Sequence, residues 1–168
     1  MNDRETLEIH LNVFETFDPV LPPEFRGAKY VFLANGSPVT QMHVLDQVPN
    51  AQLRVADTMD LWINLQRDQL RTLFKRLDGL VLNDSEARQL TDDGNVLRAL
   101  KKIHKLGPRY VIIKKGEHGS ILSGPSGLFI APAYPLQSVC DPTGAGDSFV
   151  GGLLGYLASQ KGSVEKNL

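Results

Sequence analysis

Cysteine occurs once in the 168 residues, as Cys140, so no intramolecular disulfide is available and the fold must rest on its own core. Nothing beside Cys140 in sequence offers a partner base, and its position reads as a small buried residue at a strand end. Charge of either sign is nearly balanced, with a formal net charge of -1 and a pI near 6.4. No basic run forms, which argues against a nucleic-acid partner. Long apolar runs are also lacking: none approaches the ~20 residues a membrane span requires, so no membrane association is expected. The opening residues, Met1-Asn2-Asp3-Arg4-Glu5-Thr6, are polar and acidic where a secretory signal is basic and then apolar. A cytoplasmic, reducing location is the expectation. The four histidines, at 10, 43, 104 and 118, lack the spacing of a zinc site.

What is present is an ordinary globular composition, 42% hydrophobic and 22% charged, enough for one α/β domain over residues 1–168. Ile9, Leu11 and Val13 alternate with polar neighbours and predict a first short strand. The proline-rich stretch from Phe17 to Pro23 is a loop, because prolines donate nothing to a sheet ladder. Tyr30 to Ala34 is a compact apolar run ended by Asn35-Gly36-Ser37-Pro38, the profile of a buried strand. A helix capped by Thr40 follows through about Gln47, then a buried strand from Leu53 to Ala56 closing at Asp57-Thr58. Leu70, Leu73, Phe74 and Leu77 mark the next helix, and Gly79 to Leu82 the next strand. Val96, Leu100 and Ile103 mark a helix stopped by Gly107-Pro108 ahead of a strand from Tyr110 to Lys114. The alternation of strand and helix predicts a mostly parallel sheet with ligands beyond its carboxyl ends. Residues 120–123 and 128–130, joined by Gly124-Pro125-Ser126-Gly127, add an antiparallel flank.

The chemistry is expected at Asp141-Pro142-Thr143-Gly144-Ala145-Gly146-Asp147, where small residues run into a helix whose apolar positions are Phe149, Leu153, Tyr156 and Leu157. A helix start has unpaired N–H groups and about half a positive charge, which suits an anion such as phosphate. Side chains are absent at Gly144 and Gly146 and minimal at Ala145, so backbone can approach that anion closely. Asp147 beside a phosphate site requires another reason, and general-base work on a hydroxyl supplies one. Asn83-Asp84-Ser85-Glu86 stands where a strand hands over to a helix. It reads either as a cap or as a polar pair facing phosphates. Lys114-Lys115-Gly116-Glu117-His118-Gly119 is a strand end followed by a glycine turn, and Asp57 and Trp62 follow another strand end.

Two acids bracketing Thr-Gly-Ala-Gly, with Asn83-x-x-Glu86 upstream, resemble the signatures of the ribokinase-like (PfkB) carbohydrate kinases. The resemblance runs from roughly Leu11 to Tyr156. It implies a Rossmann-like three-layer α/β sandwich and transfer of the ATP γ-phosphate to a sugar or nucleoside hydroxyl. On that resemblance Asp147 is the base, and the amides of Gly144, Ala145, Gly146 and Asp147 form the anion hole. Asp141 and Thr143 support the substrate side, and Asn83 and Glu86 face the phosphates and a hydrated Mg2+. Lys115, Gly116 and Gly119 then contact the nucleotide, and Asp57 lines the site. The glycine pair and acid that this family uses near its amino end are not found before Leu11, and the family's later helices are not found after Gly162. The chain is therefore expected to be the central-to-late part of a longer enzyme. A second reading is a shortened domain that binds nucleotide or phosphate without turnover. A homodimer is a further expectation, through a sheet edge left open. A dinucleotide-binding dehydrogenase is disfavoured, because no Gly-x-Gly-x-x-Gly follows an early strand.

Overall fold

The computed structural model describes residues 10–168. Six strands form one sheet in the order β1 to β6: Tyr30–Leu33, Leu53–Asp57, Gly79–Asn83, Tyr110–Lys114, Ser120–Gly124 and Gly127–Ala131. The first four are parallel, and β4, β5 and β6 pair antiparallel, as the repeated strand–helix pattern and the glycine-bounded hairpin require.

Because each parallel step moves the chain one strand further in the same direction, right-handed crossovers put every connecting helix on one face. These are α1 (Pro38–Gln47), α2 (Asp60–Leu65), α3 (Arg67–Phe74), α4 (Asp84–Thr91) and α5 (Val96–His104). They bury Leu70, Leu73, Phe74 and Ile103 against Leu80, Leu82, Val111 and Ile113. The opposite face is covered by α6 (Ala145–Ser159), whose Val150, Leu154 and Leu157 pack on Leu53, Val55, Val81 and Ile112. A short α7 (Val164–Asn167) follows. The three-layer sandwich expected from the sequence is the fold observed. No described helix is long and apolar enough to cross a membrane.

Several local expectations are corrected. Ile9 lies outside the described residues, and Asn12–Phe14 is a 3-10 turn with Asn12 at φ 50, not a strand. Leu11 packs on the core while Val13 and Phe14 are exposed, so no neighbouring strand fixes an alternation there. Helix α1 is capped by Ser37, three residues ahead of Thr40; its Oγ accepts from the Val39 amide at 3.3 Å, and Pro38 occupies the first helical position. Cys140 is exposed, because the proline-broken approach to α6 has no strand partner to cover it. In α6 the buried stripe is 150, 154 and 157, with Leu153 beside it. Phe149 and Tyr156 are 37% and 55% exposed, one step of rotation off the expected face.

Gly119 illustrates how the flank is fastened to the sheet. Its φ is +82°, and a Cβ there would lie 2.0 Å from the Ala131 carbonyl oxygen at the end of β6. Neither the conformation nor the contact admits a side chain. Gly119→Ala is expected to lower stability by about 2 kcal/mol or more, read as a shift in urea midpoint; an unchanged midpoint would refute the packing argument.

Candidate active site

Side chains alternate along a strand, so the residues sharing a face with Val55, Val81 and Ile112 at the next step are Asp57, Asn83 and Lys114. Asn83 and Lys114 are direct register partners, and Asp57 pairs with Val81 one strand over. A polar row therefore caps the apolar row on which α6 packs, at the carboxyl ends of three parallel strands. Helix α6 begins above that row. Gly144 is its N-cap at φ 75, a left-handed conformation that glycine takes without strain.

The turn is open to solvent: Gly144, Ala145 and Asp147 are exposed and Gly146 is half-buried. Asp141 shapes it by accepting the Thr143 amide at 2.8 Å, and the bonds to Thr143 hold the Asp141 carboxyl below its ordinary range. The Ala145 amide is already engaged with the Pro142 carbonyl at 3.1 Å. Within the described residues the amides of Gly144, Gly146 and Asp147 have no acceptor, which narrows the four-amide expectation to three. A Cβ on Gly146 would meet the Lys114 ammonium nitrogen at 2.6 Å, so that cation stands directly over the start of the helix.

Asn83 and Glu86 form a reciprocal capping box at the start of α4. The Glu86 amide donates to Asn83 Oδ1 at 2.7 Å, and the Asn83 amide donates to Glu86 Oε2 at 2.8 Å. The capping reading of this motif is the one the geometry shows, and the cap fixes the two side chains at the strand end.

Asp57 is only 7% exposed, and its Oδ1 has no hydrogen-bond partner among the described residues. Burial pushes its pKa up to about 7, Lys114 pulls it down, and the Asp147 and Glu86 charges push it up again. Asp57 on β2 thus feels charges from one further strand and two helices: Lys114 on β4, Glu86 on α4 and Asp147 on α6. On the other face Gln41 Nε2 donates to the carbonyls of Leu33 and Ala34 at 3.0 Å and of Asp57 at 3.3 Å, tying together the ends of β1 and β2. Trp62 is buried, and its indole N–H donates to Asn35 Oδ1 at 3.0 Å, which gives it a packing role.

Lys115, expected to contact nucleotide, directs its amide to the Gly119 carbonyl at 2.7 Å, while Gly116 begins an exposed 3-10 turn at φ 56. The lysine that reaches the glycine turn is Lys114. Counting the alternation from Ile112 would have identified it. Among the described residues no three acid, histidine or cysteine side chains converge as metal ligands. A cavity of about 420 Å³, lined by Tyr30, Gln52, Asp78, Arg109 and Glu165, lies at the strands' amino ends, away from this row. Ligands of open parallel sheets sit beyond the carboxyl ends.

Comparison with known proteins agrees with the fold. The profile of the pfkB family carbohydrate kinases matches residues 18–166, and the chain belongs to that family. It is 31% identical over 142 residues to a cytidine kinase of Thermococcus kodakarensis, covering 81% of this chain and 50% of that protein. A fructokinase of Klebsiella pneumoniae is 31% identical over 105 residues, 60% of this chain and 33% of that protein. The aminoimidazole riboside kinase of Salmonella enterica, solved with aminoimidazole riboside and an ATP analog, superposes with a TM-score of 0.68 at 25% identity. That match covers 84% of this chain and 51% of that one. The chain spans about half or less of the length of these relatives.

Proposed function

We propose that this chain carries the phosphoryl-transfer part of an ATP-dependent kinase whose acceptor is a sugar or nucleoside hydroxyl. The observation that supports it best is the bare start of α6 lying over the polar strand-end row, with an acid at its third position. The acceptor hydroxyl gives its proton to Asp147 and its oxygen attacks the γ-phosphorus. The bond from that phosphorus to the ADP oxygen breaks, and ADP leaves. Amides of Gly144, Gly146 and Asp147 stabilise charge on the transferring phosphoryl, in a loose transition state for which positioning and electrostatics do most of the work. The single methyl of Ala145 keeps the approach clear.

A hydrated Mg2+ fits this donor set better than a directly ligated one. No protein cage is present among the described residues, and Mg2+ characteristically keeps waters and phosphate oxygens as ligands. Asn83 and Glu86 would hold it through water, and it would neutralise the β and γ oxygens when bound. Lys115, Gly116 and Gly119 shape the nucleotide side, and Asp141 and Thr143 the acceptor side. The names of the relatives favour nucleosides and hexoses as first acceptors to try.

The test is a panel of sugars and nucleosides scored by acceptor-dependent ADP release, run beside calorimetric binding of MgATP. Release with one acceptor class is the expected result. Saturable MgATP binding with no release across the panel would favour the reading of a nucleotide-binding domain without turnover, and no MgATP binding would overturn both.

A further inference from the structure

The cavity at the amino ends of the strands has a floor set by strand register. Leu53 and Tyr110 stand two residues before Val55 and Ile112, so they share the α6 side of the sheet. Tyr30 and Gly79 join them there as the register partners of Leu53 and Tyr110. Gly79 has no side chain and leaves a recess beside the Tyr110 ring. Helix α6 ends at Ser159, and residues 162–165 close the far wall. Tyr110 is only 7% exposed, yet no described residue hydrogen-bonds its phenol O–H. A buried tyrosine hydroxyl normally has a partner, and Tyr110 lines the cavity, so the cavity is where that partner would sit.

The charges on the rim are already matched within the chain. Asp78 Oδ2 accepts the Arg54 amide at 2.8 Å and stands 3.8 Å from the Arg54 guanidinium, and Arg109 pairs with Glu165. A charged ligand finds no unspent counter-charge here, and an uncharged one leaves both pairs in place. Hydrogen-bonding capacity remains: Arg109 has N–H groups beyond the one on Glu165, and the Gln52 amide and Ser163 hydroxyl can each donate and accept. The floor of two phenol rings and Leu53 suits a flat ring, and the Arg109 guanidinium already lies over the Tyr110 ring, 5.6 Å from its centroid. A volume of about 420 Å³ falls within the roughly 300–1,000 Å³ of small-molecule sites.

We propose that this cavity is a second ligand site, which takes an uncharged planar heterocycle with donors and acceptors along its edge, the chemical class of the free nucleobases. The Tyr110 hydroxyl is its buried anchor, and the paired rim charges exclude ionic ligands. The site lies at the opposite end of the strands from residues 144–147 and does not rest on the kinase reading.

Amide chemical-shift titration of the whole chain with cytosine, adenine, CMP and cyclohexanol, with and without MgATP, tests this. Cytosine or adenine is expected to shift the amides of Gly79, Tyr110 and Gly162 with a Kd below about 1 mM, whether or not MgATP is present. CMP and cyclohexanol are expected to bind there at least about threefold more weakly, the first for its charge and the second for its shape. Tyr110→Phe removes one hydroxyl and is expected to weaken the base by about 2- to 10-fold. Ser163 is exposed and makes no side-chain cap bond, so Ser163→Trp fills the cavity mouth without removing a contact and is expected to abolish the shifts. Absence of shifts at these amides with either base, their loss on adding MgATP, equal binding of CMP or cyclohexanol, or a Kd unchanged in both variants would each overturn the assignment. None of these outcomes bears on phosphoryl transfer, which is read separately by ADP release.

Discussion

Asp147→Asn is expected to reduce acceptor-dependent ADP release by about 10²–10⁴-fold, the usual contribution of a general base, while MgATP affinity changes by less than about threefold. Asparagine keeps the shape and the place in the first turn of α6, and with them the backbone amides that would hold the phosphoryl oxygens. What it cannot do is take a proton from the attacking hydroxyl. The loss is therefore expected in kcat, with KM for ATP nearly constant, because the missing interaction exists only as the proton moves. Asp147 is exposed, so the substitution opens no cavity and leaves no buried group unpaired. A rate within threefold of wild type would show that Asp147 only complements the helix dipole, and a parallel collapse of MgATP affinity would show that it builds the nucleotide site instead.

Asp57→Asn is expected to stabilise the protein at alkaline pH and to leave it little changed near pH 4. The folded-state pKa of Asp57 is raised from 3.8 to about 7, chiefly by burial. Between those values the folded chain holds a proton that the unfolded chain has released, so stability falls as pH rises. The contribution is complete below 3.8, declines across the interval, and is gone once pH passes about 7. At about 1.36 kcal/mol for each pH step, the interval sets an upper bound of about 4 kcal/mol. Asparagine carries no charge to desolvate and should not show this decline. The check is the difference in melting temperature between the two proteins from pH 4 to pH 8. A difference that stays flat over that range would mean Asp57 is not held as a buried, destabilised carboxylate. Such destabilisation is the kind of strain that a ligand site retains, so the same substitution is expected to separate stability from ligand affinity.

Much of the sheet was legible because its strands are buried on both faces. Tyr30–Leu33, Gly79–Asn83 and Tyr110–Lys114 are short apolar runs bounded by turn residues, and a run of that kind needs no partner to be recognised. The capping box was legible for a related reason, since Asn83 and Glu86 interact across three residues of one chain segment. Helix α2 was missed, because six residues with only Trp62 and Ile63 buried give too little periodicity to read. The apparent alternation around Leu11 misled for the opposite reason: a period of two has meaning only beside another strand, and none lies there.

By itself, the sequence determined the order of strands and helices, the antiparallel flank and the bare-backbone start of α6. Each of these depends on contacts between residues near in the chain or on apolar runs that must be buried wherever they fall. Tertiary structure alone decided that Ala145's amide is spent on Pro142, and that the buried Asp57 lies in the field of Lys114, Glu86 and Asp147. Those outcomes depend on how the pleat of three strands is phased against a helix that returns from far along the chain to cover the other side of the sheet. No local pattern fixes that phase.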